Sequence, residues 1–326
     1  MRFVLSCVCA AALSATCAVA DPLPSWNAGD TKNAIIAFVE TVSDPTSDGY
    51  VTPADRIAVF DNDGTLWAEQ PLYFQLFYAL DRLREKARDD PSILSSDVLK
   101  AAADGDMERV MAAGADGLQE IINVSHADTS VADFKTDVRD WLESARHPET
   151  GMAYNDMIYQ PMLELLRYLR DEGFDTYIVS GGGVDFIRAF AEDTYGIPPH
   201  QVVGSRGNMS YAVQDGVPMV RKEPDILFID DKEGKPVGIE TRIGKRPVFA
   251  GGNSDGDFQM IEYTMAGDGP RFGLIVHHTD ADREWAYDRD GHVGVLDRGL
   301  DEGPDRGWTI VDMENDWSRV YPTAPQ

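Results

Sequence analysis

The sequence predicts an α/β protein whose parallel sheet is covered by helices on both faces. Short apolar runs alternate with amphipathic helical patterns after residue 151, and strands that alternate with helices normally pair in parallel. With 43% hydrophobic and 10% aromatic residues, the chain can fill a sizeable core. Its 326 residues allow one large domain with an elaboration, or two modest domains.

The first part of the chain predicts one strand and a long helical region. A helix is predicted near residues 30–42, where apolar residues recur at helical spacing behind a capping Asp-Thr pair. A buried strand is predicted at residues 56–60, because this apolar run stops abruptly at a polar turn. Residues 66–150 are predicted to be mostly helical, beginning with an aromatic stretch at residues 67–80.

The second part of the chain predicts strands and helices in alternation, up to a tail beyond Thr279 that shows no clear pattern. Strands are predicted at residues 176–179, 246–250 and 272–276, and a hairpin region with short strands at residues 202–229. Helices are predicted at residues 161–170, after residue 183, at residues 236–244 and around residues 260–265.

Residues 1–20 have the pattern of a secretory signal peptide. Arg2 precedes an apolar run, and small residues stand at Ala18 and Ala20, just before the expected cleavage site. An uncleaved anchor is the alternative, which the short apolar run disfavours, and no later segment reaches the ~20 apolar residues of a membrane span. We therefore expect an exported protein, periplasmic or secreted, with no membrane association after cleavage.

The cysteines all lie in this predicted signal segment, at Cys7, Cys9 and Cys17. Cleavage would leave a mature chain without disulfide or thiol chemistry, which a domain of this size does not need. A lipoprotein anchor at Cys17 is disfavoured, because the three residues before it lack the leucine-led pattern of such sites.

The chain is strongly acidic, with 56 Asp and Glu against 29 Lys and Arg and a net charge of −27. Removal of the signal segment takes away only Arg2 among charged residues and leaves −28. Such a surface repels polyanions, so binding to nucleic acid or to an acidic membrane is not expected. The charge says nothing about the fold or the oligomeric state.

Three predicted strands end in turns whose residues are candidates for catalysis or ligand binding. Because the carboxyl ends of parallel strands meet at one edge of a sheet, these turns should lie together. Lys235 begins a short helix between the second turn and the third. The turn residues are Asp61 and Asp63 after the first strand, Ser180 and Gly181 with two more glycines after the second, and Asn253, Asp255 and Asp257 after the third.

This set of residues suits phosphoryl transfer. Carboxylates from two turns can hold one Mg²⁺, a hard cation that prefers oxygen ligands and also binds substrate phosphate. The glycines let backbone N–H groups approach phosphate oxygens, and Ser180 adds a hydroxyl donor. Lys235 would offset the negative charge that phosphate and carboxylates bring together.

The run Asp-Asn-Asp-Gly-Thr at residues 61–65, after a hydrophobic strand, resembles the signature of the haloacid dehalogenase superfamily of hydrolases. The later turns resemble its other motifs in the right order, most closely those of the phosphoserine phosphatase type. The resemblance implies a Rossmann-like three-layer α/β/α core at residues 21–65 and 151–326. The helical region 66–150 would then be an inserted cap that closes over the site and selects the substrate.

The resemblance also implies a role for each candidate residue. Asp61 would be the nucleophile that forms an aspartyl-phosphate, and Asp63 would protonate the leaving oxygen and then activate water. Lys235 would orient the phosphate and the nucleophile. The phosphate would be bound by Ser180, Gly181 and Asn62, and the magnesium by Asp61, Asp63, Asn253 and Asp257. The expected activity is magnesium-dependent hydrolysis of a small phosphate monoester.

Two features depart from the family pattern and leave alternatives open. Phosphoserine phosphatases carry an aspartate at the position of Asn253, whose amide oxygen is a weaker ligand, so Asp257 and Asp255 would carry more of the metal. The lysine assignment is also open. Lys235 has the best spacing, Lys245 is the second candidate and Lys222 the third.

Three other residues near the motifs have two interpretations each. Trp67 either packs in the core or touches a substrate, and Glu69 either is a solvated helix residue or binds a substrate ammonium group. The acidic substrate-binding residue of phosphoserine phosphatases would fall at Gln70, beside Glu69. His278 either lines the site or is a structural histidine.

Two rival functions remain beside the phosphatase. A dehalogenase of the same superfamily is disfavoured by Asp63, because carbon–halogen cleavage needs no acid for a leaving oxygen. An acidic calcium-binding secreted protein would use the Asp-rich turns as calcium loops. Their flanking positions do not fit such loops, since Val59 and Gly251 fall where the first ligand belongs.

Overall fold

The computed structural model describes residues 20–322 and contains a seven-stranded sheet in the order β4-β3-β2-β1-β5-β6-β7. All neighbouring pairs are parallel except β3 and β4, which are antiparallel. The strands are β1 (Ile57–Phe60), β2 (Asp175–Gly183), β3 (Val202–Gln214), β4 (Val217–Phe228), β5 (Phe249–Gly252), β6 (Phe272–His277) and β7 (Thr309–Asp312). The predicted α/β fold with a parallel sheet is confirmed.

Helices precede the sheet, cover it and form an insert after β1. The helices are α1 (Asp30–Ser43), α2 (Phe74–Asp89), α3 (Asp97–Asp104), α4 (Met107–Ala112), α5 (Gly114–His126), α6 (Val131–Ser144), α7 (Gln160–Asp171), α8 (Val184–Ile187), α9 (Ala191–Tyr195), α10 (Gly234–Arg242), α11 (Phe258–Met265), α12 (Arg298–Glu302) and α13 (Met313–Asp316). No helix of the described chain is long and apolar enough to cross a membrane.

The alternation of side chains along β1 explains why the sheet is covered on both faces. Ala58 and Phe60 belong to a core cluster with α1 and α7, whereas Ile57 and Val59 belong to a second cluster with α10 and α11. Each strand residue points to the face opposite its neighbour, so a strand buried along its whole length requires two helical layers. All four residues of β1 are buried.

The helical insert has a small core of its own between β1 and β2. Helices α2 to α6 run from Phe74 to Ser144, and buried leucines of α2 pack against α3, α4 and α5. The boundary of a separate cap at residues 66–150 stays a prediction, because nothing in the structure tests the division into domains.

Residues 66–73 are not helical, which corrects the prediction that the helical region begins at Leu66. The Ala68 N–H donates to the Met157 carbonyl at 3.0 Å, and Trp67 forms a bridge with Ile158. This segment therefore follows the core as extended chain, and α2 starts only at Phe74. Of the aromatic stretch, Trp67 therefore lies outside α2, whereas Phe74, Phe77 and Tyr78 lie within it.

The hairpin of β3 and β4 is much longer than the predicted short strands and reaches the helical insert. Lys222 of β4 exchanges backbone hydrogen bonds with Asp128 and Thr129, at 3.1 and 2.9 Å. The outer part of this hairpin exposes most of its side chains, so no continuous apolar run marked it. The tail, unassigned by sequence, adds β7 to the edge of the sheet beside β6.

Most of the predicted signal segment, including the three cysteines, lies outside the described residues. Within the described residues, the segment before α1 is anchored to α7. The Ser25 N–H and hydroxyl both donate to the buried Glu164 carboxylate of α7, at 2.8 and 2.7 Å. Trp26 packs edge-on against Trp317, with 5.7 Å between ring centroids. Leu23, Ser25 and Trp26 thus belong to the packed core.

Candidate functional site

A cavity of about 390 Å³ lies at the carboxyl ends of the central strands, between the sheet, the helical insert and the long hairpin. Its floor contains Asp61 and Asp63 after β1, Ser180 at the end of β2, and Ser254 after β5. Parallel strands place their carboxyl ends together, which is why these turns converge.

Lys235 connects the predicted nucleophile with the third turn. Its Nζ donates to Asp61 Oδ1 at 2.7 Å, to Asp257 Oδ1 at 2.5 Å and to the Val179 carbonyl at 3.0 Å. Only 1% of Lys235 is exposed, so its charge is neutralised by these carboxylates and not by water. Among the three candidate lysines, Lys235 alone contacts Asp61.

The charges of this cluster are strongly coupled. The pKa of the Asp61 carboxyl is raised to about 8, first by burial and then by the Asp257 charge, while the Lys235 charge opposes both. Burial lowers the pKa of the Lys235 amine, but Asp257 and Asp61 reverse this and raise it above its usual value. Lys235 is therefore a permanent ammonium ion that favours an ionised Asp61.

Asp63 is held in place by Trp67. The Trp67 indole N–H donates to Asp63 Oδ1 at 2.8 Å, while Trp67 itself is fully buried and stacks on Phe190 at 4.6 Å. Burial raises the pKa of the Asp63 carboxyl, and the indole hydrogen bond opposes that shift. Trp67 is thus packed in the core and at the same time fixes one oxygen of the predicted acid.

The serine-glycine segment forms the wall beside Asp63. It is an extended continuation of β2 with a register shift against β3, and not the predicted turn. A methyl group on Gly182 would lie 3.5 Å from Asp63 Oδ2 and 3.3 Å from Ser180 Oγ. The Gly183 N–H donates to the side chain of Gln75 from the helical insert, at 2.7 Å. The following helix, α8, has only four residues.

Asn253 is joined to Glu69, a carboxylate for which the sequence left two interpretations open. Its Oδ1 accepts from the Thr65 hydroxyl at 3.0 Å, and its Nδ2 donates to Glu69 Oε1 at 2.7 Å. The same Glu69 oxygen accepts from the Tyr287 hydroxyl at 2.9 Å. Glu69 is 2% exposed and lines the cavity, so the prediction of a solvated helix position is wrong. No sequence signal marked Tyr287, which comes from the unassigned tail.

Other predicted residues have different partners. Asp257 Oδ1 accepts a hydrogen bond from Lys235. Its Oδ2 accepts from the backbone N–H groups of Asn253 and Ser254 at 2.9 and 3.1 Å. Asp255 accepts backbone hydrogen bonds at the start of α12, including one from Gly299 at 2.9 Å. Neither carboxylate is turned freely toward Asp61, so their assignment as metal ligands stays a prediction.

Asn62, which belongs to the first motif, and His278 are both buried. The Asn62 side chain is fully buried and does not line the cavity, and its carbonyl accepts from the Leu66 N–H at 2.8 Å. His278 is 2% exposed, and its Nε2 donates to the Gly64 carbonyl at 2.8 Å. His278 therefore binds the backbone of the first motif and does not line the cavity, which agrees with a structural histidine.

The remaining lysine candidates differ in environment. Lys245 is exposed and bonds the Ala54 carbonyl and Asp55, at 2.6 and 2.9 Å. Lys222 lies in the cavity wall, where its Nζ pairs with Asp185 Oδ2 at 2.7 Å and sits 4.5 Å from the centre of the Phe134 ring. Lys222 thus belongs to the roof of the cavity.

The roof of the cavity is mostly apolar. Helix α5 and the aromatic rings opposite it supply most of this surface, and Ile226 of the hairpin completes it. The apolar side chains that line the roof are Leu76, Leu118, Ile122, Phe134, Phe186 and Ile226.

The charge and donor types of the floor fit a divalent cation. Asp61, Asp63, Glu69 and Asp231 line the floor around the buried ammonium group of Lys235, which leaves an excess of carboxyl groups there. The ammonium group of Lys222 lies elsewhere in the cavity wall and is paired with Asp185. Mg²⁺ prefers such oxygen donors and usually keeps water and substrate phosphate as further ligands. Within residues 20–322 no three His, Cys, Asp or Glu side chains form a metal cluster by themselves. Backbone or amide oxygens would therefore have to complete the set.

Comparison with known proteins identifies the family. A family model described as haloacid dehalogenase-like hydrolase matches residues 58–262, more than half of the chain. The chain belongs to this family of hydrolases. A search of curated protein sequences finds no significant match.

Solved structures similar to this hydrolase support the fold. A conserved protein of unknown function from Anaerococcus prevotii DSM 20548 is 18% identical, with a TM-score of 0.53 over 90% of this chain and 94% of that one. A protein of unknown function from Bordetella pertussis Tohama I is 17% identical, with a TM-score of 0.50 over 79% and 98%. Such similarity concerns the fold and not the substrate.

The environment of His126 in the cavity wall predicts a pH-dependent stability of the hydrolase. Burial holds the pKa of the His126 imidazole well below its usual value, and the charges of Lys222, Lys86 and Arg82 add to this. The unfolded chain, with an ordinary histidine, therefore binds more protons than the folded one near and below pH ~6.5. The contribution of His126 to stability should therefore fall by about 1 kcal/mol as pH decreases from 7.5 to 5.5, whereas the raised pKa of Asp61 acts in the opposite direction and is common to the wild type and the variants.

Urea unfolding at both pH values measures this loss. His126→Gln removes the titrating group, and the loss should shrink by about 1 kcal/mol relative to the wild type. His200→Gln at an exposed position serves as the matched control and should keep the wild-type loss. An unchanged loss in His126→Gln would contradict the assignment.

Proposed function

We propose that this hydrolase is a magnesium-dependent phosphomonoesterase that acts through an aspartyl-phosphate on Asp61. The observation that carries the proposal is the buried contact between Lys235 Nζ and Asp61 Oδ1 at 2.7 Å, on the floor of a cavity that Asp63 and Ser180 also line. Lys235 occupies one oxygen of Asp61, and Oδ2 has no hydrogen-bond partner among the described residues. Oδ2 is therefore the attacking oxygen.

The proposed reaction has two displacements at phosphorus. In the first, Asp61 Oδ2 forms a bond to phosphorus, the bond to the leaving oxygen breaks, and Asp63 gives that oxygen its proton. In the second, Asp63 takes a proton from water, the water oxygen bonds to phosphorus, and the bond to Asp61 breaks to release phosphate. Trp67 holds Asp63 Oδ1, so Oδ2, the oxygen near Gly182, carries the proton.

The other groups of the site bind and orient the phosphate. Ser180 Oγ and the backbone of Gly181 and Gly182 line the cavity beside Asp63, where they can donate to phosphate oxygens. The magnesium, held by Asp61, the Asp63 carbonyl and Asn253, would offset the negative charge of phosphate and carboxylates together. Lys235 contributes a fixed positive charge at the same place.

The rival functions fit the site less well. A dehalogenase has no use for a carboxylic acid two residues after the nucleophile, yet Asp63 is oriented by a dedicated hydrogen bond. A calcium-binding protein would have no need of an ammonium group bonded to the first aspartate. As part of the proposal, residues 1–20 direct the protein to an exported compartment.

The test of the proposed reaction is hydrolysis of p-nitrophenyl phosphate by the purified protein, with magnesium and with chelator. Magnesium should be required, and Asp61→Asn should reduce kcat by about 10³-fold or more, because the attacking oxygen is lost. Asp55→Asn, at an exposed aspartate paired with Lys245, is the matched control and should retain wild-type turnover. Turnover that survives Asp61→Asn would disprove the nucleophile, and release of halide from haloacids would favour the dehalogenase.

The apolar roof predicts the class of leaving group. Phosphoserine would leave most of the cavity of about 390 Å³ unfilled, whereas a bulky apolar alcohol or phenol can bury its surface there. We expect 1-naphthyl phosphate to be hydrolysed with a kcat/KM at least about tenfold above that of phosphoserine.

Ile122→Ala shortens a side chain of the roof and should lower kcat/KM for 1-naphthyl phosphate by about tenfold, while phosphoserine is little affected. Ile93→Ala makes the same change away from the cavity and should affect neither substrate. Equal effects on both substrates, or a preference for phosphoserine, would contradict an apolar leaving group.

A further inference from the structure

Glu69 is the carboxylate of the site to which no role has been assigned. It lies on the segment between the first motif and α2, and it lines the cavity together with Asp61 and Asp63. Its Oε1 is held from two sides, by Asn253 Nδ2 at 2.7 Å and by the Tyr287 hydroxyl at 2.9 Å. Its Oε2 has no hydrogen-bond partner among the described residues. A side chain that is 98% buried thus turns one free carboxylate oxygen toward the cavity.

The backbone on both sides leaves space for this carboxylate. Gly64 has φ = +71°, and a methyl group there would lie 2.4 Å from Glu69 Oε1. Gly294 has φ = +68°, and a methyl group there would lie 2.0 Å from the same oxygen. Both positions need a residue without Cβ, because of the positive φ and because of the carboxylate. The two glycines come from opposite ends of the chain, so the Glu69 position is built by the whole fold.

The hydrogen bond between Glu69 and Asn253 explains why an amide is present at residue 253. An aspartate there would face Glu69 Oε1 with like charge across a distance of 2.7 Å, which is strongly unfavourable in a buried place. Asn253 avoids this repulsion and donates to Glu69 instead. Residues 69 and 253 therefore carry one carboxyl group between them, and it is the side chain of Glu69.

We infer that Glu69 supplies the second carboxylate of the cation site at Asp61, in place of the one that Asn253 does not carry. This inference rests on the magnesium requirement of the proposed function. The Tyr287 and Asn253 hydrogen bonds orient the carboxylate, and the free Oε2 faces the cation directly or through a water molecule. The ligand is a hard divalent cation, for which carboxylate oxygens are the preferred donors.

Magnesium binding to the metal-free protein, measured by isothermal titration calorimetry without substrate, tests this role. Glu69→Gln should weaken binding by about tenfold or more, because the second charge is lost. The exchange variant Glu69→Gln with Asn253→Asp moves the carboxylate to the other end of the same hydrogen bond. Its magnesium affinity should return close to that of the wild type. Tyr287→Phe removes a hydrogen bond to Glu69 but no charge and should change the affinity much less than Glu69→Gln.

The possible outcomes separate this inference from the proposed function. If magnesium binding disappears in Asp61→Asn but is unchanged in Glu69→Gln, the role of Glu69 is wrong and the cation site at Asp61 stands. A rise in KM confined to amine-bearing phosphates, with unchanged magnesium binding, would assign Glu69 to a substrate ammonium group. If Asp61→Asn binds magnesium as well as the wild type does, the cation site itself is wrong.

The exchange variant also decides the case if Glu69→Gln alone does not fold, because it keeps the hydrogen bond between residues 69 and 253. Magnesium affinity close to the wild type in a folded exchange variant supports the inference. A folded exchange variant that has lost magnesium binding overturns it, since a carboxylate at residue 253 would then not replace the one at residue 69.

Discussion

The buried ion pair of Lys235 with Asp61 and Asp257 is the interaction on which the rest of the site depends. It joins the end of β1 to the turn after β5, and a further bond to the Val179 carbonyl adds β2. Removing one partner from a buried ion pair typically costs about 3–5 kcal/mol, because the other charge remains unpaired. The lysine thus has two consequences: it fixes three strand ends together, and it keeps a positive charge beside the nucleophile.

The second constraint is the surplus of negative charge that this single lysine cannot neutralise. Asp63, Glu69 and Asp231 line the same cavity as Asp61, and carboxylates packed together are stable only with protons or cations between them. The site is therefore best suited to a ligand that arrives with a divalent cation. The apolar roof and the Lys222–Asp185 pair lie on the remaining cavity surface.

Sequence patterns were sufficient where the structure is determined locally. β1 and β6 were predicted because each is a short apolar run, and the convergence of Asp61, Ser180 and the turn after β5 follows from parallel strands. The outer part of the β3–β4 hairpin could not be predicted, because its side chains are largely exposed. β7 could not be predicted, because it pairs with β6 across more than 30 residues of mostly irregular chain. The partners of Glu69 lie 184 and 218 residues away in the sequence, at separations where periodicity carries no information. The helix predicted from Leu66 failed because tertiary bonds of Trp67 and Ala68 hold the chain extended.

The covalent intermediate on Asp61 is the central claim, and trapping it is the most direct measurement. The protein is mixed with an aryl phosphate and magnesium, quenched in acid within the steady state, digested and analysed by mass spectrometry. The account predicts a phosphoryl group on the peptide that contains Asp61, sensitive to hydroxylamine and absent from Asp61→Asn. Steady turnover with no phosphoryl group on that peptide, or with the group on another residue, would contradict it.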